Sequence, residues 1–276
     1  MPALMEKAHE VPFAATTPIH VARVGLRSND GERLAAFYGS LLGLEEVGRG
    51  ANRVSLGAAG RELLEIEEWP ALKPVDPRSA GLYHTAFLLP SRADLARWAR
   101  HAMENAIRID GASDHLVSEA IYLTDPDGNG IEIYADRAKD EWSFANGMVQ
   151  MATEPLDFRS LLGELREGDA GWKGAPSDSV VGHVHLRVGD LAAAESWWNE
   201  VIGLDTMVRY REGAVFLSSG GYHHHIGANV WQSRGAGRRA GDTSGLNFVE
   251  LASIEARDTT EVTDPWGNSV RIRPAS

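Results

Sequence analysis

The chain has 276 residues, 43% hydrophobic and 24% charged, with a formal net charge of −12, a composition that fits a packed globular protein of one large domain or two ordinary ones. So acidic a surface is poorly suited to nucleic acid or anionic lipid, and no apolar run of about 18 residues marks a membrane span. Cysteine is absent, which excludes disulfides, thiol catalysis and cysteine-held zinc and leaves His, Asp and Glu as the possible metal ligands.

In chain order, Met1 to Pro18 lacks the charged n-region and apolar core of a signal peptide, so a cytoplasmic location is the default expectation. Val21 to Arg27 alternates and predicts a strand. Asp30 to Leu42 carries Leu34, Phe37 and Leu41 at helical spacing and stops at Gly43, a helix with a glycine cap. "RVSLG" and "RELLEIEE" then predict two more strands. A second unit opens with a strand at Leu82 and continues with a helix capped by Ser91 that runs through Met103. It closes in a hairpin, "SEAIYLTD" and "GIEIYA", around the turn "PDGN". Residues 139–177 form a linker with a short helix in "LDFRSLLGELRE".

The chain then repeats itself. Val21, Val24, Leu26, Arg27, Asp30, Gly43 and Leu44 recur as Val181, Val184, Leu186, Arg187, Asp190, Gly203 and Leu204, a constant offset of 160. "DPDGNGIEI" from Asp125 recurs as "DPWGNSVRI" from Asp264, and "GLYHTAFLL" from Gly81 returns more weakly as "GLNFVELAS" from Gly245. Self-similarity at long period means duplicated units. The expected fold is α+β: four βαβββ modules in two domains, 17–138 and 178–276, with cupped mixed sheets. Module four is truncated, because eleven residues, Ser253 to Thr263, stand where module two has thirty-six, Leu89 to Thr124.

"GGYHHHIGANVW", residues 220–231, places three of the ten histidines side by side. It reads as a tight Gly-Gly turn between two strands, with the histidines on the sheet. Strict alternation there puts His223 and His225 on one face and His224 with Ile226 on the other. Taken singly, His84 is as well explained as a core histidine, Glu132 as the exposed side of a half-buried strand, and His183 with His185 as a surface pair. Trp197 and Trp198 read as helix core, and there is no Walker or dinucleotide fingerprint.

Taken together, "GLYHTAFLLPSRADLA", "VSEAIYLTDPDGNGIEIYADR", "VGHVHLRV" and "FLSSGGYHHHIGANVW" resemble the vicinal oxygen chelate superfamily, and within it the two-domain type I extradiol dioxygenases of the catechol 2,3-dioxygenase kind. The resemblance covers nearly the whole chain. It implies a two-histidine, one-carboxylate site for Fe(II), or Mn(II), with the opposite face left for a catecholic substrate and O2. By position the ligands are His84 and Glu132 of module two and His183 of module three. Modules one and four carry Arg23, Phe248 and Arg271 at the corresponding places and cannot build the triad. The better-known relatives place their ligands in modules three and four. Here modules two and three would form the working cup, across the domain boundary or a dimer interface. The resemblance further gives His224 the acid–base role, with His223 and His225 as alternates. Tyr122, ten residues before Glu132, would hydrogen-bond a substrate oxygen, His115 would bind the same end of the ring, and His185 would line the pocket. A homodimer or larger assembly is expected. The rivals are a glyoxalase- or epimerase-type isomerase or lyase with a fourth protein ligand, and a metal-free small-molecule-binding protein. A para-diol substrate also fits the resemblance.

Overall fold

A computed structural model describes residues 11–275. Residues 1–10, which make up most of the stretch examined for a signal peptide, lie outside them. Module one comprises β1 (Ile19–Ser28), α1 (Gly31–Leu42), β2 (Glu45–Arg49), β3 (Arg53–Ala58) and β4 (Arg61–Glu68). Module two comprises β5 (Gly81–Leu88), α2 (Arg92–Glu104), β6 (Gly111–Asp114), β7 (Ser118–Thr124) and β8 (Gly130–Asp136). The linker contributes a small hairpin, β9 (Phe144–Ala145) with β10 (Met148–Val149), then β11 (Glu154–Pro155) and α3 (Phe158–Leu162), a shorter helix than its sequence predicts. Module three runs β12 (Val180–Arg187), α4 (Leu191–Trp197), β13 (Asp205–Tyr210), β14 (Ala214–Ser218) and β15 (Ile226–Asn229). Module four has β16 (Gly245–Ser253), β17 (Thr260–Thr263) and β18 (Ser269–Pro274), with no helix between β16 and β17. No helix among the described residues is long and apolar enough to cross a membrane.

Local chemistry sets these boundaries. The carboxylate of Asp30 accepts Arg33 N–H at the start of α1, and Gly43 ends it in the left-handed region at φ 67°. The hydroxyl of Ser91 accepts Asp94 N–H at the start of α2. The repeated Asp-Pro-X-Gly-Asn turn is a structural clamp. Asp125 Oδ1 accepts the N–H groups of Asp127 and Asn129 while Oδ2 accepts the Asn129 amide, and Asp264 does the same with Trp266 and Asn268.

Modules pair through their first strands. β5 runs antiparallel to β12, giving one sheet in the order β11-β6-β7-β8-β5-β12-β15-β14-β13. β1 runs antiparallel to β16, giving the other, β17-β18-β16-β1-β4-β3-β2. Each sheet therefore draws one module from either side of the linker. The pairing repeats in detail. β12 has register shifts at Val181/His183 and His185/Leu186, and β1 has them at Val21/Arg23 and Gly25/Leu26, the same offset of 160.

One continuous apolar core takes Leu26, Leu64 and Val249 from modules one and four and Phe87, Ile131, Val184 and Leu217 from modules two and three, together with Leu34 and Tyr38 of α1 and Leu95 and Trp98 of α2. Trp198, fully buried, belongs to this core, as its place in the helix predicts. Trp98 Nε1 donates to Leu41 O and ties α2 to α1. A second apolar cluster, with Ala86, Leu88, Tyr134, Trp142, Phe216 and Tyr222, lies on the opposite face of the module two and three sheet, among the residues that flank the metal-ligand candidates.

Candidate metal centre and cavity

β5, β8 and β12 are neighbours in one sheet, and period-two alternation sends His84, Glu132 and His183 to the same concave face. All three are buried, at 6%, 2% and 1% exposure. Glu132 Oε2 lies 3.0 Å from His84 Nε2 and 3.1 Å from His183 Nε2, and the two imidazole nitrogens are 3.3 Å apart. Ligand atoms at right angles about an ion, each roughly 2.1 Å away, stand about 3.0 Å from one another. The donor set and its spacing therefore fit a divalent transition ion held on one face. Both working modules belong to one chain, so a dimer is not needed to assemble the three ligands.

The electrostatics agree. Burial by itself raises the pKa of Glu132, but the imidazoles of His183 and His84 overcome it and hold the carboxylate well below its ordinary range. Burial pushes His183 down to about 4, against the pull of Glu132. The site thus presents an ionised carboxylate and a neutral imidazole at His183, the protonation states metal binding requires.

The triad forms part of the wall of a cavity of about 630 Å³. Tyr122 is the cross-strand partner of Glu132, so ten residues around the "PDGN" turn bring the two side by side. Its hydroxyl is 2.6 Å from His115 Nε2, and His115 Nδ1 donates to Ala152 O at 2.7 Å. Burial, then the charge of Glu132, raise the Tyr122 pKa well above its ordinary value, so it stays a hydrogen-bond donor. His185 and His224 also line the cavity, with the His224 ring centroid 4.0 Å from that of His183.

The three consecutive histidines do not lie on a strand. Gly220 and Gly221 take φ of 65° and 74°, a left-handed pair that only glycine adopts without strain, and β15 begins after them at Ile226. Alternation therefore does not govern residues 223–225, and each ring has its own surroundings. His224 lines the cavity. His225 faces away. Its Nε2 donates to Ala14 O at 2.9 Å, and its Nδ1 accepts from the Ser218 hydroxyl at 2.9 Å. His223 stands behind His224, with its Nδ1 2.7 Å from His224 Nδ1 and its Nε2 2.8 Å from Asp136 Oδ1. The carboxylate fixes the proton of His223 on Nε2. Its Nδ1 is then an acceptor, His224 carries its proton on Nδ1, and His224 Nε2 is left as a free base. Burial, followed by the neighbouring imidazoles, keeps His224 neutral, with a pKa well below the ordinary value.

Several cavity residues carried no sequence signal. Tyr83 and Trp231 stack edge-on at 5.2 Å and flank His185 at 5.1 and 5.3 Å. Met151, Ala152 and Thr153 come from the linker, and Pro74, Val75 and Pro77 from the loop between modules one and two. Asp136, one turn of alternation beyond Tyr134 on β8, could have been found only by knowing where His223 falls.

The corresponding cup of the other sheet is filled. Phe248, at the position of His84, has the guanidinium groups of Arg23 and Arg271 over its ring, 5.3 and 3.7 Å from the centroid. Arg23 is paired with Glu62, Glu65 and Glu250, and Arg271 with Glu261.

The family model of the Glyoxalase/Bleomycin resistance protein/Dioxygenase superfamily matches residues 20–133. The catechol-2,3-dioxygenase of Bacillus subtilis (strain 168) is 41% identical over 239 residues, 85% of this chain and 82% of that protein. The biphenyl-2,3-diol 1,2-dioxygenase 2 of Rhodococcus globerulus is 26% identical over 117 residues, 42% of this chain and 62% of that one. The fold is shared with a solved protein of Bacillus subtilis subsp. subtilis str. 168 at a TM-score of 0.60 and 11% identity, covering 92% and 84% of the two chains. It is also shared with glyoxalase I of Zea mays at 0.53 and 12%, covering 95% and 94%.

Proposed function

Since the chain belongs to the Glyoxalase/Bleomycin resistance protein/Dioxygenase superfamily, we propose that it is an Fe(II)-dependent extradiol dioxygenase that opens the ring of a catechol or substituted catechol with O2. The observation that carries this reading is the convergence of His84, Glu132 and His183 in the wall of one cavity of about 630 Å³. Among the described residues the group able to hold a metal has these three members, and His224 is not one of them. Three ligands favour the dioxygenase over an isomerase that needs a fourth.

Fe(II), or Mn(II), held by the triad would acidify a chelated diol and bring it together with O2. The chain's residues supply the rest. His224 Nε2, free as a base, takes a diol proton and later returns one to the ring-opened product. The Tyr122 hydroxyl hydrogen-bonds a substrate oxygen, held in position by His115. Tyr83, Phe216 and Trp231 wall the cavity and exclude water from the reacting atoms. We also expect a homo-oligomer and a cytoplasmic protein.

The test is anaerobic reconstitution with Fe(II), followed by catechol, 3-methylcatechol or hydroquinone in air. Oxygen uptake with a new near-ultraviolet or visible band, lost in His84→Ala and Glu132→Ala, is the expected result. Bound iron with no oxygen uptake on any diol would overturn the reading.

A further inference from the structure

β12 runs along the cavity and presents His183, His185 and Arg187 to it in succession. At about 3.3 Å per residue, Arg187 lies about 13 Å along the strand from the metal-ligand candidate His183. It is 7% exposed, and its Nε is buried with no hydrogen-bond partner. Among the described residues no carboxylate forms an ion pair with it. The carboxylate whose charge acts on it is that of Asp76, which is itself held by Arg78. Burial lowers its pKa below that of an ordinary guanidinium.

Arg27 occupies the same position in module one; its Nε is likewise buried without a partner, but its Nη1 donates to Gly241 O at 2.8 Å and its guanidinium sits over the Trp69 ring. The module that lines the cavity leaves its arginine without such partners. A buried cation with no counter-charge is costly to keep, so an anion supplied from outside accounts for it. Beside it, His185 Nε2 is also buried and unpartnered, and Tyr83 and Trp231, packed edge-on at 5.2 Å, share the same cavity wall.

We propose that the cavity wall around Arg187 is an anion subsite, in which Arg187 binds a carboxylate on the side chain of the aromatic diol. This rests on the dioxygenase reading for the diol, but the subsite itself does not depend on turnover. One guanidinium balances one negative charge, which suits a carboxylate. Asp110, elsewhere on the cavity wall, repels anions from its own position, so binding of an anion would depend on Arg187.

The experiment is titration calorimetry under anaerobic conditions with the full-length, metal-reconstituted protein. The probes are 3,4-dihydroxyphenylacetate and its neutral amide, then 3-phenylpropionate and its amide, which carry no diol. The carboxylates should bind roughly 10- to 100-fold more tightly than the amides, the range of a charge-assisted hydrogen bond. Arg187→Met should erase the preference and leave the amides unchanged, and Arg187→Lys should keep part of it. Equal binding of acid and amide by the wild-type protein would overturn the proposal, as would a preference that survives Arg187→Met. Should Arg187→Met not fold, Arg187→Lys decides: an unaltered preference there overturns a role for the guanidinium fork, and a reduced one supports it. A protein that binds carboxylates selectively through Arg187 yet cleaves no diol would support the subsite and defeat the dioxygenase reading alone.

Discussion

Asp136 and His224 never touch, yet His223 joins them: Asp136 Oδ1 lies 2.8 Å from His223 Nε2, and His223 Nδ1 lies 2.7 Å from His224 Nδ1. The same carboxylate oxygen also accepts the Tyr222 hydroxyl at 3.2 Å, and Tyr222 is linked at 2.8 Å to Tyr134. Asp136 thereby sets the proton position on His223, and through it the ring nitrogen that His224 leaves free.

This arrangement orders two substitutions. His224→Gln removes the base and should lower kcat roughly 100-fold or more, with metal stoichiometry retained. Asp136→Asn keeps the shape and hydrogen-bonding capacity but removes the charge that selects the tautomer. It should lower kcat on the order of tenfold, with KM little changed and the pH–rate profile displaced. Steady-state kinetics across pH would check this. An unaltered profile in Asp136→Asn would leave Asp136 a packing residue.

Metal binding should stabilise the fold through the same three buried side chains. A divalent ion at 100 times its Kd should add about 2.7 kcal/mol to unfolding free energy, read as a rise in Tm. Glu132→Gln should abolish that rise and the bound metal together, because two imidazoles then lack the carboxylate that completes the set. His185→Ala, on the same strand but outside the triad, should keep both. Loss of metal in His185→Ala as severe as in Glu132→Gln would contradict the assignment.

His84, Glu132 and His183 were legible as one group through the family resemblance, and the structure brings them together. Strand period sets their shared face, and the ten-residue span around a tight turn makes Tyr122 and Glu132 cross-strand partners. What escaped is long-range. No pattern in the linker announces that Met151 to Thr153 will wall the cavity, nor does anything around Asp136 announce His223. The histidine triplet misled for a physical reason: Gly220 and Gly221 in left-handed geometry displace residues 223–225 from the strand, so alternation had no bearing on them. Arg187 was visible as a repeat match, but only the structure shows that Arg27 has a carbonyl partner, Gly241 O, that Arg187 lacks.

His225 predicts an acid limit to stability. Its neutral ring gives Nε2–H to Ala14 O and accepts at Nδ1 from the Ser218 hydroxyl, and burial lowers its pKa from 6.5 to about 3. The unfolded chain takes up a proton near pH 6.5 that the folded chain refuses until about pH 3. The contribution is therefore complete above pH 6.5 and declines as pH falls through that window, by up to about 1.4 kcal/mol per pH unit. Urea unfolding between pH 7 and 4.5 should show a shallower pH dependence in His225→Gln than in the wild type, by roughly one proton. Identical slopes would show that the ring does not hold this proton state.

The filled cup offers the complementary test, in which stability should change and metal content should not. Gly25 stands at the position of His185, and the Phe248 ring occupies the space its missing side chain leaves. A Cβ on Gly25 would lie 2.3 Å from Phe248 Cε1. The ring cannot move aside freely, since the guanidinium groups of Arg23 and Arg271 lie over it and are themselves held by glutamates. Gly25→Ala should destabilise by about 1–3 kcal/mol, as overpacking does, while iron stoichiometry stays at the wild-type value because the triad lies in the other sheet. Phe248→Leu in the same chain should recover part of the loss, since a smaller side chain makes room for the methyl group. Denaturant unfolding with metal analysis on the same samples decides between outcomes. A double variant no more stable than Gly25→Ala alone would show that the strain does not arise from Phe248, and loss of iron in Gly25→Ala would show that the two cups are coupled through the shared core.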